Sequence, residues 1–278
     1  MNKTQPFGGI SGSTLKLIAI TSMLIDHTGA TVLRAVLNLS SVTSDPIWFA
    51  FWKTMYTYSR NIGRIAFPIF CFLIVEGFTH TRNVRNYAFR MFLFALISEI
   101  PFDLALKGRW FNPDKQNVYF TLLIGLLVLI GLSLTEKLSG NFVAYEACSD
   151  QTQTVRPQKR CQKLFISLLQ TAVSALIILG GMRLASVIDT DYNFKGVFLI
   201  AILYLVQHYV RSQEASRSSL CLAGAMAVSW ELPAPIGFLP IYLYNGTRGL
   251  HIKYFFYWFY PVHLLILHVI ADYLIPLL

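Results

Sequence analysis

LKLIAITSMLIDHTGATVLRAVL, residues 15–37, has the length and apolar content of a membrane-spanning helix, yet it carries Asp26 and His27 side by side near its middle. A span needs about 20 mostly apolar residues, and this stretch meets that requirement. With Lys16 at one face of the bilayer, His27 stands eleven residues further on, which is about 16 Å at helical rise. That depth is the middle of the membrane. An ionisable side chain there costs at least a few kcal/mol unless it faces protein or water, so such residues are functional candidates by default. The competing reading is a polar contact that only pins helices together. Neighbouring residues on a helix point about 100° apart, so Asp26 and His27 must each find a partner on another helix. Arg34 follows His27 by seven residues and shares its face.

The rest of the chain is of the same kind. Of 278 residues, 55% are hydrophobic and only 13% charged, and the mean hydropathy is +0.52; a soluble domain carries roughly 25% charged residues. Apolar windows fall at 15–38, 62–80, 86–106, 117–135, 164–188, 194–211 and 255–278. Between 219 and 244 an apolar run is broken by Glu231, Pro233, Pro235 and Pro240. Proline cannot continue a regular helix without losing backbone bonds, so two short spans are read there. The expected architecture is an all-α, polytopic transmembrane bundle of about nine spans forming a single domain over residues 1–278. The first span, long and interrupted by Asp26 and His27, does not read as a cleavable signal. Residues 136–162 are polar and read as a flexible cytoplasmic loop.

The net charge of +9 comes from Lys and Arg scattered singly or in pairs. That pattern fits anchoring at the cytoplasmic face and not nucleic-acid binding. With the N-terminus inside, 14 of the 23 basic residues collect on the inner side, among them Lys16, Arg82, Arg85, Arg90, Lys137 and Lys163. The four cysteines, Cys71, Cys148, Cys161 and Cys221, are too few for a disulfide framework and are expected as free thiols.

Further candidates cluster at both faces. Glu76, His80 and Arg82 converge at the inner end of the second span, and Arg82, Arg85 and Arg90 suit the phosphates of a cytosolic nucleotide-type ligand, because guanidinium binds phosphate bidentately. For any one of these arginines, simple anchoring is the rival explanation. In the third span Glu99 and Asp103 lie four residues apart on one face. Two carboxylates in low dielectric repel, so at least one pairs with a cation or holds a proton; Arg34, Arg64 and Lys107 lie at similar depth. Asn117 and Thr121 open the fourth span, and His263 lies in the last one beside Pro261. No HxxxH or HExxH spacing supports a metal site, and no Walker, GxGxxG or GxSxG motif occurs.

Six stretches together resemble one known family: LKLIAITSMLIDHTGA (15–30), GRIAFPIFCFLIVEGFTHTRN (63–83), FALISEIPFD (94–103), QNVYFTLLIGLL (116–127), DYNFKGV (191–197), and YNGTRG followed by KYFFYWFYPVHLLIL. The chain is similar to TraX proteins, the membrane group named for a conjugative-pilus pilin acetylase. It also resembles the wider superfamily of integral-membrane acyltransferases, with His27 and FPIFCFLIVEG in the places of that superfamily's first-span histidine and proline-phenylalanine run. An arginine often seen early in the superfamily's first span is replaced by Lys16. The resemblance implies a bacterial inner-membrane acetyltransferase that moves an acetyl group from cytosolic acetyl-coenzyme A to an amine or hydroxyl at the outer face. A pilin N-terminus or an envelope glycan is the implied acceptor. On that reading His27 is the catalytic base, with Asp26 or Glu99 orienting it. Glu76, His80, Arg82, Arg90 and His263 are expected to hold the acetyl-coenzyme A, and Arg64, Asp103 and Asn117 the acceptor. A proton-coupled transporter, using the same buried acids and histidine as a relay, is the alternative.

The charge pattern has a direct consequence for labelling. In intact cells Cys148 and Cys161 are expected to resist a membrane-impermeant thiol reagent, and a cysteine added at the C-terminus is expected to react.

Overall fold

The computed structural model of the chain describes residues 9–148, 157–210, 213–250 and 253–277. They fold as an all-α bundle whose helices run back and forth between two ends, here called the Lys16 end and the Arg34 end. Helix α1 spans Gly12–Thr28 and continues through a π-helical turn, Gly29–Leu33, into Arg34–Leu37. Helices α2 (Pro46–Gly63) and α3 (Ala66–His80) return along it. Then follow α4 (Val84–Lys107), α5 (Val118–Cys148), α6 (Pro157–Val187) and α7 (Asn193–Tyr209). Helix α8 (Gln213–Ala227) leads into a 3-10 turn at Ala234–Gly237, the short α9 (Phe238–Tyr242) and finally α10 (Lys253–Val269).

Each apolar window therefore contains a helix. Among the described residues four segments are long and apolar enough to cross a bilayer unaided: Pro46–His80, Val118–Leu138, Leu164–Val187 and Tyr254–Leu277. Helix α6 shows what surrounds the bundle. Leu164, Phe165, Leu168, Leu176 and Leu179 are all at least 60% exposed. Apolar surface on that scale is not left in water; it faces lipid. The core runs down the other side, where Leu15, Ile69, Leu126, Leu129, Leu199, Leu203 and Leu264 are fully buried.

Two features depart from the sequence reading. Most of the expected loop at 136–162 is helical, because α5 runs on to Cys148 and α6 begins at Pro157, and only 149–156 lie outside the described residues. Helix α2 was not foreseen. Lys53, Arg60 and Asn61 interrupt its apolar residues, so no window of spanning length forms. Its start is nevertheless well specified: Pro46 occupies the first turn, and the Asp45 carboxylate accepts from the amides of Ile47 at 2.8 Å and Trp48 at 3.3 Å.

Glycines set how closely α2 meets α1. A methyl group on Gly63 would sit 2.1 Å from the Asp26 Cβ, and one on Gly29 would sit 2.0 Å from the Ser59 hydroxyl. The Ser22 hydroxyl donates to the Ile62 carbonyl at 2.6 Å across the same contact. Small residues at such crossings let membrane helices pack backbone to backbone. The chain then turns at Arg64 and Ile65 and continues as α3, so the second span is a broken helix with a charged residue at the break.

Loops close both ends. At the Lys16 end the first amides of α1 are satisfied from outside the helix: Gly12 N–H donates to the Thr247 carbonyl at 2.8 Å and Ser13 N–H to that of Arg248 at 3.0 Å. At the other end Gln116 N–H donates to Asp189 and Asp191 N–H to Gln116, which ties the α4–α5 loop to the α6–α7 loop.

The α1–α2 contact is open to measurement. Gly63→Val is expected to destabilise the protein by roughly 1–3 kcal/mol through overpacking, seen as earlier thermal unfolding in detergent. Gly180→Ala, where an added methyl meets nothing within 4 Å, is expected to leave the transition in place.

Candidate active site

His27 is 9% exposed and His263 is 5% exposed, and the two imidazoles touch. His27 Nδ1 lies 2.6 Å from His263 Nε2, and the rings meet edge to edge in nearly one plane, with centroids 4.9 Å apart and an interplanar angle of 8°. His263 Nδ1 lies 2.7 Å from the Phe259 carbonyl one turn earlier in α10. Tyr260 presents its ring edgewise to His27 at 5.8 Å. Just past His27 the helix widens into its π-helical turn, and the Thr31 hydroxyl donates to the His27 carbonyl at 2.6 Å. Such local widenings occur frequently at functional sites.

Asp26 does not reach the imidazole. It projects about 100° away along the helix, where its Oδ2 lies 2.7 Å from Nη1 of Arg60 on α2. Arg60 was not among the residues singled out from the sequence. Glu99 does not orient the imidazole either: its carboxylate accepts from the Asn117 side chain and, at 3.3 Å, from the Asn117 amide. The Asn117 side chain also donates to the Ala95 carbonyl at 2.8 Å. Asp103, fully buried, accepts from the Asn112 amide at 2.7 Å. Arg64 pairs not with Glu99 or Asp103 but with Glu231 at 2.7 Å. The two acids of α4 thus secure the loop into α5, and Arg64 secures the hairpin after α8.

Two cavities enter the bundle from opposite ends. The one at the Arg34 end, of about 290 Å³, is lined by His27, Arg34, Arg60, Lys107, Asp191 and Tyr192, with other side chains. The one at the Lys16 end, of about 520 Å³, is lined by Lys16, Glu76, His80, Arg90 and Arg248 at its mouth and by Ile20, Leu73, Ile74, Met91 and Leu122 further in. Met23, Phe70, Val118 and Tyr260 line both. The cavities therefore meet back to back at four side chains, one of which, Tyr260, packs its ring edgewise to His27.

The walls are electrostatically distinct. In the Arg34-end cavity Asp26 pairs with Arg60, and Asp191 with Lys115 at 2.9 Å. Asp191 and Tyr192 belong to a loop with three left-handed non-glycine residues, Asp189, Tyr192 and Asn193. Backbone of that kind costs on the order of 1–3 kcal/mol per residue and clusters at functional sites. Here it turns Tyr192 inward onto Phe67. Burial first, and then the Asp191 carboxylate, hold the Tyr192 hydroxyl well above its usual pKa, so it stays a hydrogen-bond donor. In the Lys16-end cavity Glu76 accepts from the Tyr244 hydroxyl at 2.9 Å, and His80 lies 3.5 Å from the same carboxylate. Arg90 Nε is buried with no hydrogen-bond partner among the described residues. Arg82 is exposed on the turn between α3 and α4 and does not line the cavity. Lys16 and Arg248, which do, arrive from distant parts of the sequence.

The family model described as TraX protein matches residues 11–271. The chain belongs to the TraX family. It is also 26% identical over 283 residues to a protein of Dichelobacter nodosus named probable fimbrial assembly protein FimC, serogroup H1, in an alignment covering 92% of this chain and 94% of that one. No solved structure matches. For this TraX protein, the matched span takes in His27, His263 and both cavities.

The Asp26–Arg60 pair is expected to act in folding. In a double-mutant cycle on thermal stability, Asp26→Ala and Arg60→Ala are expected to couple by roughly 0.5–3 kcal/mol, with the double variant less damaged than the sum of the single ones.

Proposed function

We propose that this protein transfers an acetyl group from acetyl-coenzyme A, entering at the Lys16 end from the cytoplasm, to an amine or hydroxyl presented at the opposite face of the inner membrane. The observation that carries this reading is the meeting of two oppositely opening cavities beside one buried histidine. A donor that cannot leave the cytoplasm and an acceptor that cannot enter it require that arrangement.

The Lys16-end cavity fits the donor. Lys16, Arg90 and Arg248 stand at its mouth, and the buried Arg90 Nε has a donor to spare. The rest of the wall is made of apolar side chains such as Ile20, Leu73 and Leu122 with tyrosines such as Tyr119 and Tyr257 among them, which suits an uncharged pantetheine arm with its amides. The nucleotide phosphates stay with the cations at the surface, and only the thioester arm goes inward. His27 lines the acceptor's cavity. As a neutral imidazole it removes the proton of the attacking amine or hydroxyl, a contribution of about 10²- to 10⁴-fold for general-base catalysis. The Arg34-end cavity, with Tyr192 and several cations, receives the acceptor. Membership of the TraX family and the likeness to a fimbrial assembly protein favour a pilin subunit as that acceptor.

Purified protein in liposomes, supplied with acetyl-coenzyme A and a pilin-derived peptide, tests the reading through release of free coenzyme A. His27→Ala is expected to lower transfer by at least about 100-fold while folding stays near normal; retained transfer would remove His27 from the catalytic role. Lys16→Gln with Arg90→Gln is expected to raise KM for acetyl-coenzyme A about tenfold or more with a smaller change in kcat, the pattern of lost uniform binding. High salt is expected to shrink that difference, since screening weakens the same contacts.

A further inference from the structure

A general base needs a free lone pair facing its substrate, and an imidazole has two nitrogens on which the single proton of the neutral ring can sit. In hydrolytic triads a carboxylate decides which. No carboxylate contacts His27 among the described residues: Asp26 is bound to Arg60, and Glu99 to Asn117. The decision falls to the chain of contacts running from His27 through His263 to Phe259.

That chain can be read from its far end. The Phe259 carbonyl can only accept, so His263 Nδ1, 2.7 Å away, carries a proton. In a neutral His263 the other nitrogen, Nε2, is then a lone pair. It faces His27 Nδ1 at 2.6 Å, and two lone pairs cannot share that distance, so the proton between them belongs to His27 Nδ1. The remaining nitrogen of His27, Nε2, is left with its lone pair. It has no hydrogen-bond partner among the described residues, and His27 lines the cavity at the Arg34 end whereas His263 lines neither cavity.

We propose that His263 is a positioning residue that sets His27 in the tautomer protonated at Nδ1 and basic at Nε2, and that it takes up the positive charge during transfer. The inference rests on the acetyltransferase reading above and deepens it. The protons balance. As the acceptor's nitrogen or oxygen attacks the thioester carbonyl carbon, its proton passes to His27 Nε2 while the Nδ1 proton moves to His263 Nε2. His263 is then an imidazolium whose Nδ1–H is still held by Phe259, and His27 is neutral with its proton on Nε2. When the carbon–sulfur bond breaks, that proton goes to the departing thiolate of coenzyme A, and His263 returns its proton to His27 Nδ1. One pair of rings serves as base and then as acid, with no net proton gained or lost.

Full-length protein labelled with ¹⁵N-histidine, in detergent at neutral pH, tests the tautomer directly, with His27→Ala and His263→Gln spectra assigning the two rings. A His27 signature of protonated Nδ1 and unprotonated Nε2 supports the assignment; a neutral ring protonated on Nε2 overturns it. Kinetics test the role. His263→Phe keeps an aromatic ring at that position but accepts no hydrogen bond, and is expected to lower kcat by about 100-fold or more, as loss of a tautomer-setting partner does, with KM for acetyl-coenzyme A changed by less than about threefold. His263→Gln, whose carbonyl can still accept from Nδ1–H, is expected to recover at least about tenfold of that loss. An unchanged kcat in His263→Phe, or a glutamine variant no better than the phenylalanine one, overturns the role. If the wild-type protein turns over no acetyl-coenzyme A, the reading of its function fails, while the spectrum still decides the tautomer.

Discussion

Everything near the site depends on how tightly α1 and α2 are pressed together. Gly63 lies against Asp26 and Gly29 against Ser59, with no room for a methyl group at either contact, and this brings two backbones within reach of each other deep in the bundle. The approach lets Arg60 meet Asp26 on the buried side of α1 and so rids the span of one unpaired charge. It also ends α2 at the level of His27, where Arg64 turns outward to Glu231 and α3 departs along a new line. The break leaves the space that becomes the Arg34-end cavity. A longer side chain at Gly63 would push the helices apart, expose the ion pair and close that space at once.

The two polar residues at the centre of α1 have separate duties. Asp26 is matched by a cation, as a carboxylate in a low-dielectric interior must be, and its work is to hold α2. His27 is matched by another neutral ring, which needs no counter-ion and leaves a nitrogen for chemistry. Placing the pair on consecutive positions serves both ends, because a helix turns neighbours to different sides.

Much of this was legible in the sequence, and the rest was hidden for physical reasons. Apolar length alone placed the helices of seven windows, since a bilayer imposes one secondary structure and one minimum length. The same criterion passed over α2, whose Arg60 is tolerated because a residue 34 positions away neutralises it. His27 stood out because an ionisable side chain in mid-span is costly unless it faces protein or water. Its partner was read in another role: His263 was expected to hold acetyl-coenzyme A, and only the packing of α10 against α1 makes the two a pair. Sequence reasoning looked for a carboxylate beside the imidazole because triads supply one, although the 100° between Asp26 and His27 already argued against it. At the Lys16 end, Arg90 was found through its neighbours in the sequence. Arg248 was not, because the hydrogen bonds from Gly12 and Ser13 that bring its loop to the start of α1 are made by backbone.

The wall between the cavities has a meaning apart from catalysis. A bundle hollowed from both ends thins the insulating layer of the membrane to whatever separates the two cavities, which meet at Met23, Phe70, Val118 and Tyr260. Three of these offer no polar side-chain atom, and Tyr260 is buried. A file of water cannot form past such side chains, so protons have no wire to follow and the voltage across the bilayer falls over a plug a few side chains thick. The steepest electric field in the molecule then coincides with Tyr260 and the histidine beside it, and the same residues that bring two compartments within reach of one another keep them electrically apart.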